Sequence, residues 1–393
     1  MEFDFSWLMA IPLFFGLGWF ASRLERRGAR RAPTGLPDAY FRGLNFLLSE
    51  QPDKAIDAFI DVVKLDPETI ELHFALGNLF RRRGETERAI RVHLNLAERA
   101  GIDPQQREHA LFELGQDYLK AGLLDRAEDA FNRLEGGQYA GAALRHRLQI
   151  AQMVRDWPQA IALAARLQRD PGQPLGHEVA HFHCELAAQA LASGDADRFE
   201  QARRHLRAAT AVDSGHPRPA LLAGELALAE GDAAAAIRAW SRLENEAPEY
   251  LALVADGWMQ AHERVGQPGQ GAERLLGAMR DRPSFDVFAA IAAAQAGARG
   301  DEAGLDWAES ALRARPSLLS LERVLGMRAA RADESRREEI ALMQQLIAPH
   351  ARNLARFACS KCGFKARRHY WQCPGCAAWD TYAPRRVEEL ERG

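Results

Sequence analysis

Four of the five cysteines crowd into one short segment near the end of the chain. Cys359 and Cys362 form one Cys-x-x-Cys pair, Cys373 and Cys376 a second, with ten residues between the pairs. Each pair can bend into a knuckle whose thiolates occupy adjacent corners of a tetrahedron. Two knuckles then close a four-sulfur site with no open position. Zinc and iron both accept tetrahedral sulfur, so the spacing predicts one metal ion, iron or zinc, held by all four cysteines. A redox dithiol would not account for two matched pairs. Gly363 follows the first knuckle and permits a left-handed turn, Pro374-Gly375 serves the second, and Ala377 stands where a glycine is often found. His369 lies between the pairs and is not needed as a ligand. Phe364, Tyr370, Trp371, Trp379 and Tyr382 offer a miniature core. A segment this small cannot fold by burial alone, so the metal must supply its stability.

A second group of metal-binding residue types is His177, His181, His183 and Cys184. Spacings of four and three put His177, His181 and Cys184 on one helix face. No carboxylate completes a known ligand pattern, so packed or surface residues of a helix are expected here. The chain contains no phosphate-binding Gly loop, no Gly-x-Ser-x-Gly elbow and no His-Glu-x-x-His. The expectation is a protein that is not an enzyme.

The elements that must carry the cysteine segment repeat along the chain. Gly43, Ala55 and Phe59 recur as Gly77, Ala89 and His93 after 34 residues, then as Gly115, Ala127 and Phe131. Pro67 ends the first of these units, and Gly224, Ala236, Trp240 and Pro248 restore the same internal offsets of 12, 4 and 8, with Pro248 expected to end its repeat. The pattern resembles the tetratricopeptide repeat. A small residue in helix A allows close approach, Ala opens helix B at a tight crossing, and the bulky residue one turn later fills the core. Turn signals at 50–53, 83–85, 120–122, 193–195 and 230–232 separate the helices. Residues 141–215 are degenerate, with Ala160 and Ala202 the best candidates for helix B, and the units near Ala272 and Ala308 are weaker still. About eight repeats are expected. Such an array offers a surface to peptide or protein partners. Asn78, Arg81, Arg82, Gln116 and Lys120, at helix A positions not needed for packing, are candidate partner-binding residues.

Composition fits this reading. Lys+Arg 51 against Asp+Glu 54 leaves a net charge of −3, which excludes a globally basic nucleic-acid coat. Ala and Leu abound while aromatic residues are 8%, favouring helix over sheet. Phe5 to Ala21 is free of charge and is followed by Arg23, Arg26, Arg27, Arg30 and Arg31. Seventeen helical residues span ~26 Å, at the short end of a bilayer crossing. The charge asymmetry puts the N-terminus outside and the rest in the cytoplasm, consistent with reduced cysteines. The basic linker can also lie against anionic inner-membrane lipid. The organisation read from the sequence is therefore all-α: a transmembrane anchor at 1–22, a basic linker at 23–37, a tetratricopeptide repeat solenoid at 38–350, a rubredoxin-like metal-binding domain at 354–384 and a tail at 385–393.

Anchor, repeats and the Cys-x-x-Cys-Gly-Phe … Tyr-Trp-x-Cys-Pro-x-Cys-x-x-Trp stretch, in this order, resemble the lipopolysaccharide assembly protein B family of Gram-negative bacteria. The resemblance covers the whole chain, and the cysteine stretch carries most of its specificity. It implies a non-enzymatic adaptor on the cytoplasmic face of the bacterial inner membrane. Such an adaptor works with the protease FtsH to direct turnover of the lipid A deacetylase LpxC. It also implies contacts with other lipopolysaccharide assembly proteins and an inner-membrane regulator. Two other functions fit the cysteine segment: a rubredoxin-like electron carrier, and a nucleic-acid-binding zinc ribbon using Lys361, Lys365, Arg367 and Arg368 among the aromatics. The short spacer between the pairs argues against the first. Membrane residence argues against the second, and no nucleic-acid partner is expected.

Overall fold

The computed structural model describes residues 69–168 and 174–391, preceded by 51–65 and scattered positions between 19 and 49. The anchor expected at Phe5–Ala21 lies outside the described residues apart from Trp19. Among the described residues no helix is long and apolar enough to cross a membrane. The chain divides into two compact units, Met1–Ile150 and Ala151–Gly393.

In the first unit, residues 41–46 are helical where described and precede α1 (Pro52–Leu65). Two helix pairs follow, α2 (Ile70–Arg83) with α3 (Thr86–Glu98) and α4 (Pro104–Lys120) with α5 (Leu124–Asn132). The division between units falls within α6 (Ala140–Val154). The expected role of the glycines is visible atom by atom. A Cβ added at Gly43 would meet the Phe59 ring at 2.8 Å, and one at Gly115 would meet Phe131 at 2.6 Å. The helix A backbone thus rests directly on the helix B ring, and no side chain fits between them. The turn between the helices is made by left-handed glycines, φ 85° at Gly84 and 75° at Gly122.

His93 takes the place of the aromatic ring in the second repeat. It is fully buried, with Nδ1 2.5 Å from the buried carboxylate of Asp117. Arg81 completes this network, donating to Asp117 Oδ1 at 2.9 Å, to Glu113 Oε2 and to Asn78 Oδ1 at 2.7 Å. Burial would raise the Glu113 pKa, but hydrogen bonds from His109 and Arg81 bring it below its ordinary value.

The second unit continues with α7 (Trp157–Leu167), α8 (Gly176–Ala192), α9 (Arg198–Val212), α10 (Pro217–Ala229) and α11 (Ala233–Glu246). Pro248, expected to end a repeat, opens a 3₁₀ helix, Pro248–Val254. Then come α12 (Ala255–Arg264), α13 (Pro268–Ala278), α14 (Phe285–Arg299), α15 (Asp301–Ala314), α16 (Leu318–Arg331) and α17 (Glu334–Leu354). A two-stranded antiparallel ribbon, β1 (Phe357–Ala358) with β2 (Lys365–Ala366), pairs Phe357 with Ala366 and Ala358 with Lys365. The short α18 (Val387–Glu391) closes the described chain.

The degenerate repeats keep the packing and redistribute the volume. Ala160 and Ala202 are fully buried in their helices, α7 and α9, as expected of helix B alanines. The α8/α9 pair uses Ala190 and Leu206 where other pairs use Gly and an aromatic, and both are buried in one cluster. The α12/α13 pair inverts the scheme. Its large residues, Trp258 and His262, sit on helix A, and Gly271 on helix B yields to them; a Cβ there would stand 2.6 Å from His262 Cγ. Trp258 Nε1–H donates to Gly271 O at 3.0 Å. In the α10/α11 pair, a Cβ at Gly224 would collide with the buried indole of Trp240, whose Nε1–H donates to Leu221 O at 3.0 Å. Gly224→Ala should therefore destabilise the protein by about 1–3 kcal/mol, the ordinary cost of overpacking. Adding Trp240→Phe should recover part of that loss in denaturant unfolding, because the smaller ring leaves room for the methyl.

Candidate metal centre and its seat on the repeats

The first knuckle is built from the end of β1 and the turn after it. Cys359 N–H donates to Phe364 O at 3.0 Å, and Gly363 N–H to Cys359 O at 2.9 Å, with Gly363 at φ 74°. In the second, Ala377 N–H donates to Cys373 O at 2.8 Å, and Gly375 N–H points at Cys373 Sγ at 3.4 Å. A bridge between Cys359 and Tyr382 ties the first knuckle to the segment after the second, and one between Gln372 and Trp379 closes the second knuckle. The four Sγ atoms lie within 4.8 Å of one another, with Cys359–Cys376 at 3.8 Å and Cys362–Cys373 at 3.6 Å. A tetrahedron with metal–sulfur bonds of about 2.3 Å has edges of about 3.8 Å, so the donor set fits a single four-coordinate ion.

The protonation pattern agrees. Desolvation opposes the Cys359 thiolate, but hydrogen bonds from Thr381 and the amides of Cys362 and Lys361 bring its pKa down to about 6. The Phe364 amide favours the Cys362 thiolate, yet desolvation and the three neighbouring sulfurs push that group up to about 12. Four thiols this close compete for ionisation, and a cation among them removes the competition.

Two tryptophans and the tail seat the ribbon on the second unit. Trp379 stacks on His181 with centroids 4.4 Å apart, meets Trp157 edge-on at 6.0 Å, and donates its Nε1–H to Gln152 Oε1 at 3.0 Å. Trp371 stacks on Tyr250 at 5.3 Å, with the Arg218 guanidinium 5.3 Å from its ring. Leu253 packs against the ribbon core of Phe357, Cys359, Cys373 and Tyr382. Beyond the ribbon, Glu388 accepts from Leu318 N–H at 2.6 Å, Leu319 N–H at 3.2 Å and the Ser317 hydroxyl at 2.8 Å. Glu389 accepts from Phe285 N–H at 2.7 Å, and Arg386 holds Asp286 through two hydrogen bonds. The tail therefore caps the N-termini of α16 and α14, where free amides and the helix dipole favour a carboxylate.

The residues singled out in the sequence separate into different environments. Arg82 and Lys120 are exposed, Asn78 and Gln116 half-buried, and Arg81 is engaged in the network with Asn78, Glu113 and Asp117. Cys184 is packed in the repeat core, where burial pushes its thiol up to about 12. His183 faces His205, the two Nδ1 atoms 3.3 Å apart. His177 and His181 do converge, but on partners that sequence spacing could not reveal. His216 enters from the N-cap of α10, and Asp380 from the second knuckle. Burial opposes charge on Asp380, but hydrogen bonds with His181 and His177 hold it down to about 2.

Ala377 carries a strained backbone at φ 55°. An L-residue pays roughly 1–2 kcal/mol for that conformation. Ala377→Gly should stabilise the metal-loaded ribbon by about 1 kcal/mol in chelator-driven unfolding, with unchanged metal stoichiometry.

Comparison with known proteins fits both parts. The rubredoxin metal binding domain family matches residues 357–384, and the tetratricopeptide repeat family matches residues 42–106. Lipopolysaccharide assembly protein B of Escherichia coli K12 is 34% identical over 379 residues, covering 96% of this chain and 97% of the relative. Its counterpart in Haemophilus influenzae is 27% identical over 390 residues, with the same 96% and 97% coverage. Among solved structures, a tetratricopeptide repeat protein from Parabacteroides merdae aligns at 12% identity and a TM-score of 0.27, covering 74% of this chain and 97% of that one. At 34% identity along nearly the whole of both chains, the Escherichia coli relative places the protein: it belongs to the lipopolysaccharide assembly protein B family.

Proposed function

We propose that this protein is a membrane-anchored, non-enzymatic adaptor that regulates lipopolysaccharide synthesis at the cytoplasmic face of the bacterial inner membrane. In this reading the repeats hold partner proteins and the apolar N-terminal segment keeps them beside the bilayer. The partners are the protease FtsH, the deacetylase LpxC, other lipopolysaccharide assembly proteins and an inner-membrane regulator. Bringing LpxC to FtsH on one scaffold raises the effective concentration of client at the protease, so LpxC turnover rises without any new chemistry in the adaptor. The observation that carries the reading is the relatedness to lipopolysaccharide assembly protein B over 96% of the chain. The seat of the ribbon on the repeats supports it further, because it makes one composite surface out of two modules.

The test is the lifetime of LpxC after protein synthesis is stopped, in cells of the source bacterium. Loss of this protein should lengthen that lifetime several-fold, and restoring the full chain should shorten it again. A chain starting at residue 23 should fail to restore turnover if anchoring is what concentrates the client. An LpxC lifetime indifferent to the presence of the full chain would refute the adaptor reading.

A further inference from the structure

We propose that His177, His181, His216 and Asp380 form a second metal site, for a divalent transition ion of the zinc class, where the ribbon meets the repeats. The four donors come from three separate places in the chain. His177 and His181 stand one turn apart on α8, His216 is the N-cap of α10, and Asp380 follows the second knuckle. One ligand atom from each lies within 4.8 Å of the others. Three imidazole nitrogens and one carboxylate oxygen are a donor set that zinc accepts, and it contains no sulfur, unlike the ribbon centre.

Two features show that the cluster is built. Asp380 adopts a left-handed backbone, φ 53°, with its N–H tied to Trp371 O at 2.9 Å, which aims its carboxylate at the histidines. His177 Nδ1 lies 2.8 Å from Asp213 Oδ2, and Asp213 is itself fixed by Gly215 N–H at 3.1 Å. A carboxylate behind the far nitrogen of a histidine is the usual support of a metal ligand, because it fixes the tautomer that frees Nε2.

Neutral rings cannot place the hydrogens satisfactorily; an imidazolium at His177 serves both of its carboxylates, but the His181–His216 contact still lacks a matched donor and acceptor. His177 and His181 each put Nε2 2.7 Å from Asp380 Oδ2, and His181 and His216 put their Nε2 atoms 3.1 Å apart. If His177 donates Nδ1–H to Asp213, a neutral ring turns its Nε2 lone pair on the Asp380 carboxylate. If His181 Nε2–H serves Asp380, His216 can accept from it only by carrying hydrogen on Nδ1, where Arg218 N–H already points at 3.1 Å. If His216 instead donates to His181, a second lone pair faces Asp380. Every neutral arrangement therefore leaves a conflict at the centre. A cation resolves the three central contacts together, since every Nε2 lone pair and the carboxylate then point at it. A tetrahedral site with bonds of about 2.0–2.1 Å has edges of about 3.3 Å, so the central contacts at 2.7, 2.7 and 3.1 Å open by about 0.2–0.6 Å on loading.

Loading has a cost at Arg218. Its N–H loses His216 Nδ1, and its guanidinium, 3.3 Å from His181 Nδ1, must turn away. That guanidinium keeps Glu185 at 2.7 Å and the Trp371 face. The site would staple the second knuckle to α8 and α10, making ribbon docking depend on the ion.

The test uses the full chain in detergent with its four-cysteine centre filled, titrated with Co²⁺. Further binding should appear as visible d–d absorption without thiolate charge-transfer bands, and Zn²⁺ in place of Co²⁺ should raise the melting temperature. His177→Ala, at a half-exposed ring, and Asp380→Asn should each weaken this binding roughly tenfold or more, while the cysteine centre keeps its ion. Circular dichroism matching the parent chain confirms folding of both variants. The proposal is overturned if no Co²⁺ binds beyond the cysteine centre. It is equally overturned if Co²⁺ shows only thiolate bands, or if the extra ion binds both variants as tightly as the parent.

Discussion

Sulfur atoms held within 4.8 Å of one another cannot all carry negative charge unless a cation stands among them. The cysteine ribbon is arranged around that requirement. Its strands are two residues each, its buried core is Phe357, Cys359, Cys373 and Tyr382, and two of those four belong to the four-cysteine cluster. Burial on that scale cannot hold a fold. Ion binding must close the knuckles, and closed knuckles fix the directions of Trp371, Trp379 and Asp380. Those three side chains are what the ribbon presents to the repeats. The seat of the ribbon is thus conditional on chemistry at the sulfurs.

The repeats meet the ribbon with features prepared for it. His181 and Tyr250 offer flat faces for the two indoles, and Gln152 offers an acceptor for the Trp379 N–H. Past the ribbon, Glu388 and Glu389 occupy the N-termini of α16 and α14, and Arg386 grips Asp286 beside them. Each such cap contributes on the order of 1 kcal/mol. The tail therefore works as an internal capping group for two helices well before it in sequence. Ribbon and tail together bind the second unit at several points, so an event at the metal can be felt by the helices they touch.

Much of this was legible from residue spacing alone, for reasons that also explain what was not. The cysteine pairs declare themselves because a knuckle is local: its ligands, its glycine and its aromatics lie within a few residues. Gly43, Gly77, Gly115 and Gly224 are legible because helix contacts of this kind recur at fixed offsets, and each glycine does meet the ring sixteen residues on. The α12/α13 pair hides because Trp258 and Gly271 exchange large and small across the same interface, which preserves volume and erases the pattern. The histidine cluster could be half seen. His177 and His181 are helical neighbours, but His216 and Asp380 arrive through tertiary packing, and no spacing rule joins position 177 to position 380. Arg81 illustrates the converse: a cation that reads as exposed on a helical wheel is bound to the carboxylates of Glu113 and Asp117 from the next repeat.

The central claim is that metal in the ribbon organises the second unit as well as the ribbon. Hydrogen exchange of the full chain, with and without Cys373→Ser, tests it most directly. The account predicts that losing this ligand speeds exchange in 357–384 and also at the capped amides of Phe285, Leu318 and Leu319, and along α8 beneath Trp379. Faster exchange confined to 357–384, with those helix amides as protected as before, would contradict it.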